Sequence, residues 1–335
     1  MSVEETTMGG IREDAHLVDY RKGVDMVPSR DGYGHGLLWL CEHDDRVVVC
    51  DADLAKSTRT IWVRDKFPEK FVDFGIAEQD MLAEAGGMSR TGLVPFVTTY
   101  GVFVAGRAWD QIRTSICYGN LNVKIGGAHG GISVGPDGPT HQSLEEIPLM
   151  RVLPGMTLIV PTDAIEAKKA TIWAASHEGP VYLRFGREGV PAVTTEETPF
   201  TVGRAEVYRD GDDVAIVACG PLVYEALAAA DKLEKEGVDA RVINCHTIKP
   251  LDVDTLLTAA KECGAIVTAE EAQVYGGLGG AVAEVISQRH PVPMRIVGIE
   301  DVFGESGSPR ELLDKYGMNS ENIVAKVKEV LEMKK

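Results

Sequence analysis

Short apolar runs alternate with stretches of helical periodicity from about residue 46 onward, and this alternation predicts the elements of the fold. Continuous apolar runs are typical of strands that are buried on both faces of a parallel sheet. The intervening stretches, for example residues 164–176, place apolar residues on one face of a helix. Strands that alternate with helices predict an α/β fold. The predicted strands are RVVVCDADL, LVPFVTTY, LNVKIGG, MTLIVP, PVYLRF, VAIVACG, ARVINCH, AIVTAEE and MRIVGIE.

A stretch rich in proline, threonine and glutamate interrupts the alternation and divides the chain into two units. We predict an N-terminal arm at residues 1–11, a first domain at 12–190, a linker at 191–204 and a second domain at 205–335. Each domain is predicted to contain its own parallel sheet covered by helices. The predicted fold class is therefore α/β, with two consecutive parallel-sheet domains.

One predicted helix, at about residues 76–88, carries a glutamate on its apolar face. Glu78 shares that face with Met81, Leu82 and Ala85, at spacings of three, four and seven residues. No lysine or arginine stands beside it in the sequence. Burial of a carboxylate without a partner is costly, so this position requires a functional explanation.

Two aromatic residues lie around the start of a second predicted helix, which runs from about residue 103 to residue 116. Tyr100 and Phe103 are three positions apart in the stretch VTTYGVFVAG. Aromatic residues at this spacing are commonly part of the core, and a role in ring stacking is the alternative.

The stretch GGAHGGISVGPDGPTHQ, residues 126–142, is the densest in candidate chemistry. It contains His129, Asp137 and His141, which are too far apart for a simple metal triad. Glycine loses extra entropy on ordering, but it lets the backbone approach a ligand. Because the stretch follows a predicted buried strand, a substrate-contacting loop is favoured over a mobile surface loop. A second stretch, YGGLGGAVAE at 275–284, predicts a tight turn or subunit contact, since its spacing is not GxGxxG.

Composition and charge exclude several classes of function. A net charge of −17 argues against nucleic acid or an anionic membrane as the main partner. No apolar run approaches the ~18 residues of a membrane span, and the acidic start MSVEETTMGGIRED does not resemble a signal peptide. Six cysteines are scattered without CxxC pairs, which predicts reduced thiols and a cytoplasmic protein.

Six stretches, in this order, resemble the C-terminal half of a transketolase, in which a pyrimidine-binding domain precedes a C-terminal domain. The resemblance runs from about residue 12 to the end, and GPDGPTHQ is its most specific motif. It implies thiamine diphosphate as cofactor and transfer of a two-carbon ketol unit between sugar phosphates. The stretches are SRDGYG (29–34), ADLAKS (52–57), FGIAEQD (74–80), PFVTTYGVF (95–103), AHGGISVGPDGPTHQ (128–142) and RFGRE (184–188).

The resemblance also implies a role for each matching residue. Glu78 matches the glutamate that activates thiamine diphosphate through its pyrimidine ring nitrogen, and an apolar pocket helps a carboxyl group to hold a proton. Phe103 matches the aromatic residue that stacks on the pyrimidine, and Tyr100 lies beside it. His141 matches a histidine near the reacting carbonyl, and Asp137 matches the group that binds the adjacent hydroxyl. The positions that hold the sugar phosphate match Arg30, Ser57, His129 and Arg187.

One part of the transketolase pattern is missing from this sequence. Full-length members hold the diphosphate and its metal with an N-terminal domain that carries a GDG…N motif, and GDG does not occur here. The resemblance therefore implies a separate N-terminal subunit that supplies this motif and holds Mg²⁺ or Ca²⁺, with no metal ligand in this chain. The expected assembly is a heterotetramer with two chains of each kind.

Three other functions stay open at this point. A split deoxyxylulose-phosphate synthase would join pyruvate to glyceraldehyde phosphate, and its donor needs no phosphate-binding residues. The beta subunit of a 2-oxoacid dehydrogenase shares the architecture and the activating glutamate, but the DGPTHQ loop fits it poorly. A non-catalytic scaffolding subunit is the alternative of a different class, and Glu78, Asp137 and His141 argue against it.

Overall fold

The computed structural model describes residues 10–334, and most of the predicted arm at residues 1–11 lies outside this range. The strands and helices alternate along the chain as the apolar pattern predicts. In the first half they are β1 (Met26–Pro28), α1 (Ser29–His43), β2 (Val47–Asp51), α2 (Ala55–Thr58), α3 (Ile61–Lys66), β3 (Phe71–Asp73), α4 (Glu78–Arg90), β4 (Val94–Tyr100), α5 (Gly101–Arg107), α6 (Trp109–Gln111), β5 (Lys124–Ala128), α7 (Glu146–Arg151), β6 (Thr157–Ile159), α8 (Ala164–Ser176), β7 (Val181–Phe185) and β8 (Gly189–Pro191).

The second half continues the same alternation of strand and helix. Its elements are β9 (Glu206–Arg209), β10 (Val214–Ala218), α9 (Leu222–Lys235), β11 (Ala240–Asn244), β12 (Thr247–Lys249), α10 (Val253–Cys263), β13 (Ile266–Gln273), α11 (Leu278–Arg289), β14 (Met294–Ile299), α12 (Pro309–Lys315) and α13 (Ser320–Lys334).

Two large sheets organise these elements. The first has seven strands in the order β12, β6, β7, β5, β4, β2, β3, and its pairs are parallel except for β12 with β6. The second has five strands in the order β14, β13, β10, β11, β9, and its pairs are parallel except for β9 with β11. The prediction of two consecutive α/β units with parallel sheets is confirmed.

The antiparallel edge strands were not part of the prediction. Both β9 and β12 are short, and β12 joins the first sheet although its residues lie in the second half of the sequence. Residues 247–249 carry no continuous apolar run, so periodicity gives no strand signal there. Strand β12 therefore ties the two units together at the edge of the larger sheet.

The helix predicted at residues 103–116 is interrupted. Helix α5 ends at Arg107, and Ala108 adopts φ −110° and ψ 17° before α6 and a π-helical turn continue the segment. The break places the indole N–H of Trp109 3.0 Å from the Leu149 carbonyl oxygen, to which it donates. An apolar periodicity predicts a helical segment, but it does not specify a break that depends on such a distant contact.

The two units share one buried apolar layer. Met150 and Leu158 of the first unit lie in the same apolar cluster as Val217 and Leu278 of the second. A buried polar contact joins them as well, since the Asn244 amide of β11 donates to the carboxylate of Glu166 in α8. The N-terminal residues Ala15 and Tyr20 pack in the core of the second unit, while the domain boundaries given above stay predictions.

The candidate site lies where the parallel strands of the first sheet end. Strands β2, β3, β4, β5 and β7 run in the same direction, so the segments that follow them meet at one edge of the sheet. These segments contain most of the residues that the sequence analysis singled out.

Candidate active site

Glu78 is the first residue of α4 and its side chain is buried. Met81, Leu82 and Ala85 are buried on the same face of the helix, which confirms the predicted orientation. The expectation that no cation accompanies this carboxylate is wrong, because the Arg107 guanidinium donates to Glu78 Oε1 at 2.8 Å. The two residues are 29 positions apart, so the pairing depends on the tertiary fold.

An aromatic pair lies beside this ion pair, at the end of β4 and the start of α5. The rings of Tyr100 and Phe103 are 5.5 Å apart and nearly parallel, with an angle of 8° between their planes. The Arg107 guanidinium lies 4.0 Å from the centre of the Phe103 ring. The His141 ring is 5.3 Å from Phe103, and the His129 ring is 4.0 Å from Tyr100. Through Arg107, Glu78 is therefore connected to a continuous group of aromatic and imidazole rings.

His129 is fully buried, and its environment favours the neutral imidazole. Burial, and then the positive charges of Arg30 and Arg187, lowers the pKa of His129 to about 3. The nearby Ser57 backbone raises the pKa in opposition to these effects, but it forms no hydrogen bond of normal geometry with either ring nitrogen, and no other residue in the range 10–334 does. Its backbone also adopts a positive φ of 59°, which is uncommon for a residue with a side chain. A buried polar ring without partners is available to a ligand.

A group of basic residues surrounds His129. Arg30 donates from Nη1 to the Ser57 carbonyl oxygen at 2.9 Å, while its buried Nε has no partner in the described part of the chain. Burial, followed by the charges of Arg59 and Arg187, lowers the pKa of Arg30 below its usual range. Such repulsion among cations would be relieved by a bound anion, so the group fits a phosphate.

Asp137 and Arg187 contact each other directly. Arg187 Nη1 donates to Asp137 Oδ2 at 2.8 Å, and Arg187 also lies 3.3 Å from the carboxylate of its neighbour Glu188. Both partners of the first pair are about 29% exposed, so the contact is open to competition by a ligand. An incoming anion could take the place of Asp137 on the guanidinium.

The second glycine-rich stretch forms a tight turn in front of α11. The carboxylate of Glu270 accepts from the N–H groups of Leu278 and Gly279 at 2.7 and 2.8 Å. It therefore occupies the helix N-terminus, where a phosphate would otherwise bind. A Cβ on Gly277 would lie 2.0 Å from Glu270 Oε2, which explains glycine at this position.

Residues 10–334 lack two further features that could indicate a function. This range contains no group of three or more His, Cys, Asp or Glu side chains that could hold a metal ion. No helix in the same range is long and apolar enough to cross a membrane.

Comparisons with known families agree with this geometry. The family profile of the transketolase pyrimidine binding domain matches residues 25–192, and that of the transketolase C-terminal domain matches residues 203–323. The chain belongs to the transketolase family. Members of this family are transferases, so the assignment to that enzyme class is confirmed.

Several relatives match this chain over nearly its whole length. The 6-deoxy-6-sulfo-D-fructose transketolase subunit SqwH of Clostridium sp. (strain MSTE9) is 40% identical over 305 residues, which cover 91% of this chain and 95% of the relative. A putative transketolase C-terminal section of Methanocaldococcus jannaschii is 42% identical, with coverage of 91% and 96%. A solved structure described as a split gene transketolase, inactive beta4 tetramer, is 47% identical with a TM-score of 0.87, and the match covers 92% of this chain and 100% of that one.

The structure brings the transketolase-like residues to one edge of the sheet, connected by the contacts described above, although their roles stay predictions. Two basic neighbours were missed. Arg107 follows Phe103 by four positions on α5, a spacing that could have indicated a shared face. Arg59 lies near Arg30 and donates to Asp31 at 2.5 Å, but nothing in the sequence pattern points to it.

Proposed function

We propose that the chain is the C-terminal subunit of a thiamine diphosphate-dependent transketolase. With a separate N-terminal subunit, it would transfer a two-carbon ketol unit from a ketose phosphate to an aldose phosphate. The observation that carries the proposal is the buried carboxylate of Glu78, which Arg107 connects to the parallel rings of Phe103 and Tyr100. A flat heteroaromatic ring with a basic nitrogen is the kind of ligand that such a pocket fits.

The residues at this edge fit the pyrimidine end of the cofactor. When bound, thiamine diphosphate supplies a carbon nucleophile and accepts the electron pair that is released when the donor's carbon–carbon bond breaks. Glu78 would hold a proton between its carboxylate and the pyrimidine ring nitrogen, and Arg107 competes for the same oxygen through its 2.8 Å contact. The faces of Phe103 and Tyr100 would fix the orientation of the ring.

Two residues of the 126–142 loop would act on the sugar. His141, whose ring contacts Phe103, would exchange a proton with the donor's carbonyl oxygen. Asp137 would accept a hydrogen bond from the adjacent hydroxyl, which fixes the position of the donor chain. This assignment follows the family resemblance and is supported by the closeness of His141 to the aromatic pair.

The sugar phosphate would bind among the basic residues at the same edge. The unpaired Nε of Arg30 and the neutral ring of His129 provide N–H donors for phosphate oxygens. Arg187 would exchange its contact with Asp137 for the phosphate, and Ser57 lies next to Arg30. An anion buried among these groups would gain charge-assisted hydrogen bonds.

The proposal includes a second kind of subunit. The relatives described above are named as a transketolase subunit and a C-terminal section, and the solved split gene transketolase is an inactive tetramer of one chain type. By analogy, the diphosphate and its Mg²⁺ or Ca²⁺ would be held by an N-terminal subunit with a GDG…N motif. Two chains of each kind would form the active heterotetramer.

The test is a reconstitution experiment. The purified chain, with and without the N-terminal subunit, is mixed with thiamine diphosphate, Mg²⁺, xylulose phosphate and an aldose phosphate. We expect ketol transfer only in the mixture of both subunits. Full activity of the isolated chain would overturn the two-subunit proposal. In a second mixture with pyruvate and glyceraldehyde phosphate, formation of deoxyxylulose phosphate would identify the synthase instead, whereas release of carbon dioxide without this product would indicate a 2-oxoacid dehydrogenase.

The phosphate site has its own test. Arg30→Met should raise the KM for a phosphorylated donor about 10- to 100-fold, because a charge-assisted contact contributes about 1.5–3 kcal/mol. Arg64→Met is the matched control, since Arg64 is exposed and pairs with its neighbour Asp65. An unchanged donor KM in Arg30→Met would contradict the proposed phosphate site.

A further inference from the structure

The loop that carries Asp137 and His141 rests on the second unit of the molecule. The Gln142 side chain donates to the Glu305 carbonyl oxygen at 2.9 Å. Gly135 passes so close to residue 307 that a Cβ there would lie 3.2 Å from the carbonyl oxygen of Gly307. The conformation of residues 131–142 is therefore determined partly by residues outside the first sheet.

Two short 3-10 turns, which form the segment Ile132–Asp137, begin without a cap of their own. The first N–H groups of a helical turn need an acceptor, and Gly131 at the N-cap position has no side chain to provide one. Glu271 of β13 provides it, because its Oε1 accepts from the Ser133 N–H at 2.6 Å. A Cβ on Gly131 would lie 2.3 Å from the same oxygen, so the loop backbone sits directly on this carboxylate.

Glu271 is itself held in place. Only 2% of the residue is exposed, and its backbone carbonyl accepts from Arg184 Nη2 at 2.7 Å. Arg184 is anchored in turn by Glu146, to which its Nε donates at 2.7 Å. Burial raises the pKa of Glu271, while the charge of Arg184 and then the Ser133 N–H oppose this effect. The carboxylate is thus a fixed acceptor rather than a mobile surface group.

We propose that Glu271 is a positioning residue for the ketol transfer. By capping the turns before Asp137, it sets the places of Asp137 and His141 relative to Phe103 and Arg187. The chemical part of this inference rests on the proposed function, whereas the structural part concerns this chain alone. It gives the C-terminal unit a direct part in building the active site.

The first experiment measures hydrogen exchange in the assembled protein. Glu271→Gln keeps the shape of the side chain and one accepting oxygen, but it removes the negative charge, so the Ser133 N–H is left with a weaker, neutral acceptor. We expect exchange in residues 131–142 to accelerate about tenfold, because a neutral hydrogen bond is weaker than a charge-assisted one by about 1 kcal/mol or more. Glu270→Gln is the matched control, because Glu270 is equally buried on the same strand but caps α11. It should accelerate exchange at the start of α11 and leave residues 131–142 unchanged.

The second experiment measures kinetics in the same complexes. Glu271→Gln should lower kcat/KM for the donor about 10- to 100-fold, because small displacements of reacting groups have effects of this size. Binding of thiamine diphosphate should stay unchanged, since in the described part of the chain no hydrogen bond or ion pair joins Glu271 to Glu78, Tyr100 or Phe103. Glu270→Gln should keep the donor kcat/KM of the unsubstituted protein. A merely structural role would instead affect both glutamate variants alike.

A second variant approaches the contact from the loop. Gly131→Ala would press a methyl group onto Glu271 Oε1, at a φ of 93° that disfavours alanine. It should reproduce the exchange and kinetic changes, and it provides the test if Glu271→Gln does not fold. The proposal is overturned if a folded variant shows unchanged exchange in residues 131–142 and unchanged donor kcat/KM. If the unsubstituted complex shows no ketol transfer, the exchange comparison alone decides the positioning, and the proposed function fails separately.

Discussion

Glu78 and Glu270 are both buried glutamates beside the first turn of a helix that follows a parallel strand, yet their partners differ. Both oxygens of Glu270 accept from backbone N–H groups of α11, at 2.7 and 2.8 Å. Glu78 pairs with Arg107, and no backbone N–H within residues 10–334 donates to its carboxylate. The Glu270 carboxylate thus caps a helix, whereas the Glu78 carboxylate is paired with a single side chain.

The difference separates a structural acid from an available one. A carboxylate that satisfies a helix N-terminus cannot leave without exposing unpaired N–H groups. Glu78 can exchange its contact, because Arg107 is about half exposed and can turn towards solvent. Burial of a glutamate is therefore a weak indicator of function until its hydrogen-bond partners are known.

The largest expected effect is that of replacing Glu78, the available acid. Glu78→Gln, reconstituted with the N-terminal subunit, should lower kcat for ketol transfer about a thousandfold, which lies within the range for a lost general acid–base group. Its folding should be unaffected. Steady-state kinetics and thermal unfolding of the complex measure the two quantities.

Glu84→Gln is the control for this prediction. Glu84 lies on the same helix, but its side chain points to solvent. It should keep full turnover. If Glu78→Gln also keeps turnover within threefold, Glu78 is a core acid and the comparison with Glu270 loses its functional meaning.

The next largest expected effect is that of replacing Glu270, the structural acid. Glu270→Ala leaves the buried N–H groups of Leu278 and Gly279 without their acceptor, so the free energy of unfolding should fall by about 3 kcal/mol. Glu78→Ala should lower it by less than about 1 kcal/mol, since Arg107 is about half exposed and can turn towards solvent when its partner is removed. Urea unfolding of the isolated chain measures both values, and equal losses would remove the distinction.

The sequence predicts the side of the molecule on which Glu78 lies, but not its partner. Periodicity within one helix is enough to place Met81, Leu82 and Ala85 in the core, because these positions depend on local geometry. Arg107 belongs to α5, and β4 lies between α4 and α5 in the sequence. The contact between Arg107 and Glu78 therefore forms only when the chain has folded. A contact that depends on strand order has no local signal, and the apparent absence of a cation was an error of this kind.

The strands of the two sheets also differ in whether a local signal reveals them. Central strands such as β10 are apolar throughout and stand out from any window of the sequence. Strand β12 has a polar composition and forms by pairing with β6, almost ninety residues earlier in the chain. The support of the 131–142 loop by Glu271 is equally non-local. Family resemblance supplied the candidate residues of the site, whereas their supporting contacts required the structure.

A third buried glutamate, Glu166, differs from the other two because it should make the stability of the fold depend on pH. Glu166 accepts from the Tyr208 hydroxyl at 3.0 Å, from the Asn244 amide at 2.7 Å and from the Thr162 N–H at 2.8 Å. Burial, and then the neighbouring charge of Asp163, raises the pKa of Glu166 to about 7. Like Glu270 it belongs to the fold, but its protonation changes within an accessible range of pH.

The sign of its effect follows from linkage. An acid whose pKa is higher in the folded state binds protons more tightly there, so its stabilising contribution is present at low pH and is lost as pH rises towards 7. Between pH 5 and pH 8 this loss should be about 2 kcal/mol. The measurement is the free energy of unfolding of the unsubstituted chain minus that of Glu166→Gln, which cancels the opposite contribution of His129. A difference that is independent of pH would show that Glu166 is ionised throughout.

The smallest expected effect is a change at one of two buried histidines, His129 and His246, when phosphate binds. Burial lowers the pKa of both His129 and His246 to about 3, but the charges of Arg30 and Arg187 contribute only at His129. His246 stacks on Phe200 with 4.4 Å between ring centres, away from those cations. Inorganic phosphate should therefore shift the carbon-bound ring proton of His129 in spectra of selectively ¹³C-labelled histidine, and leave that of His246 in place. Resonances are assigned with His129→Asn and His246→Asn. Equal shifts at both rings, or none at His129, would mean that an unpaired buried imidazole is no guide to the phosphate site.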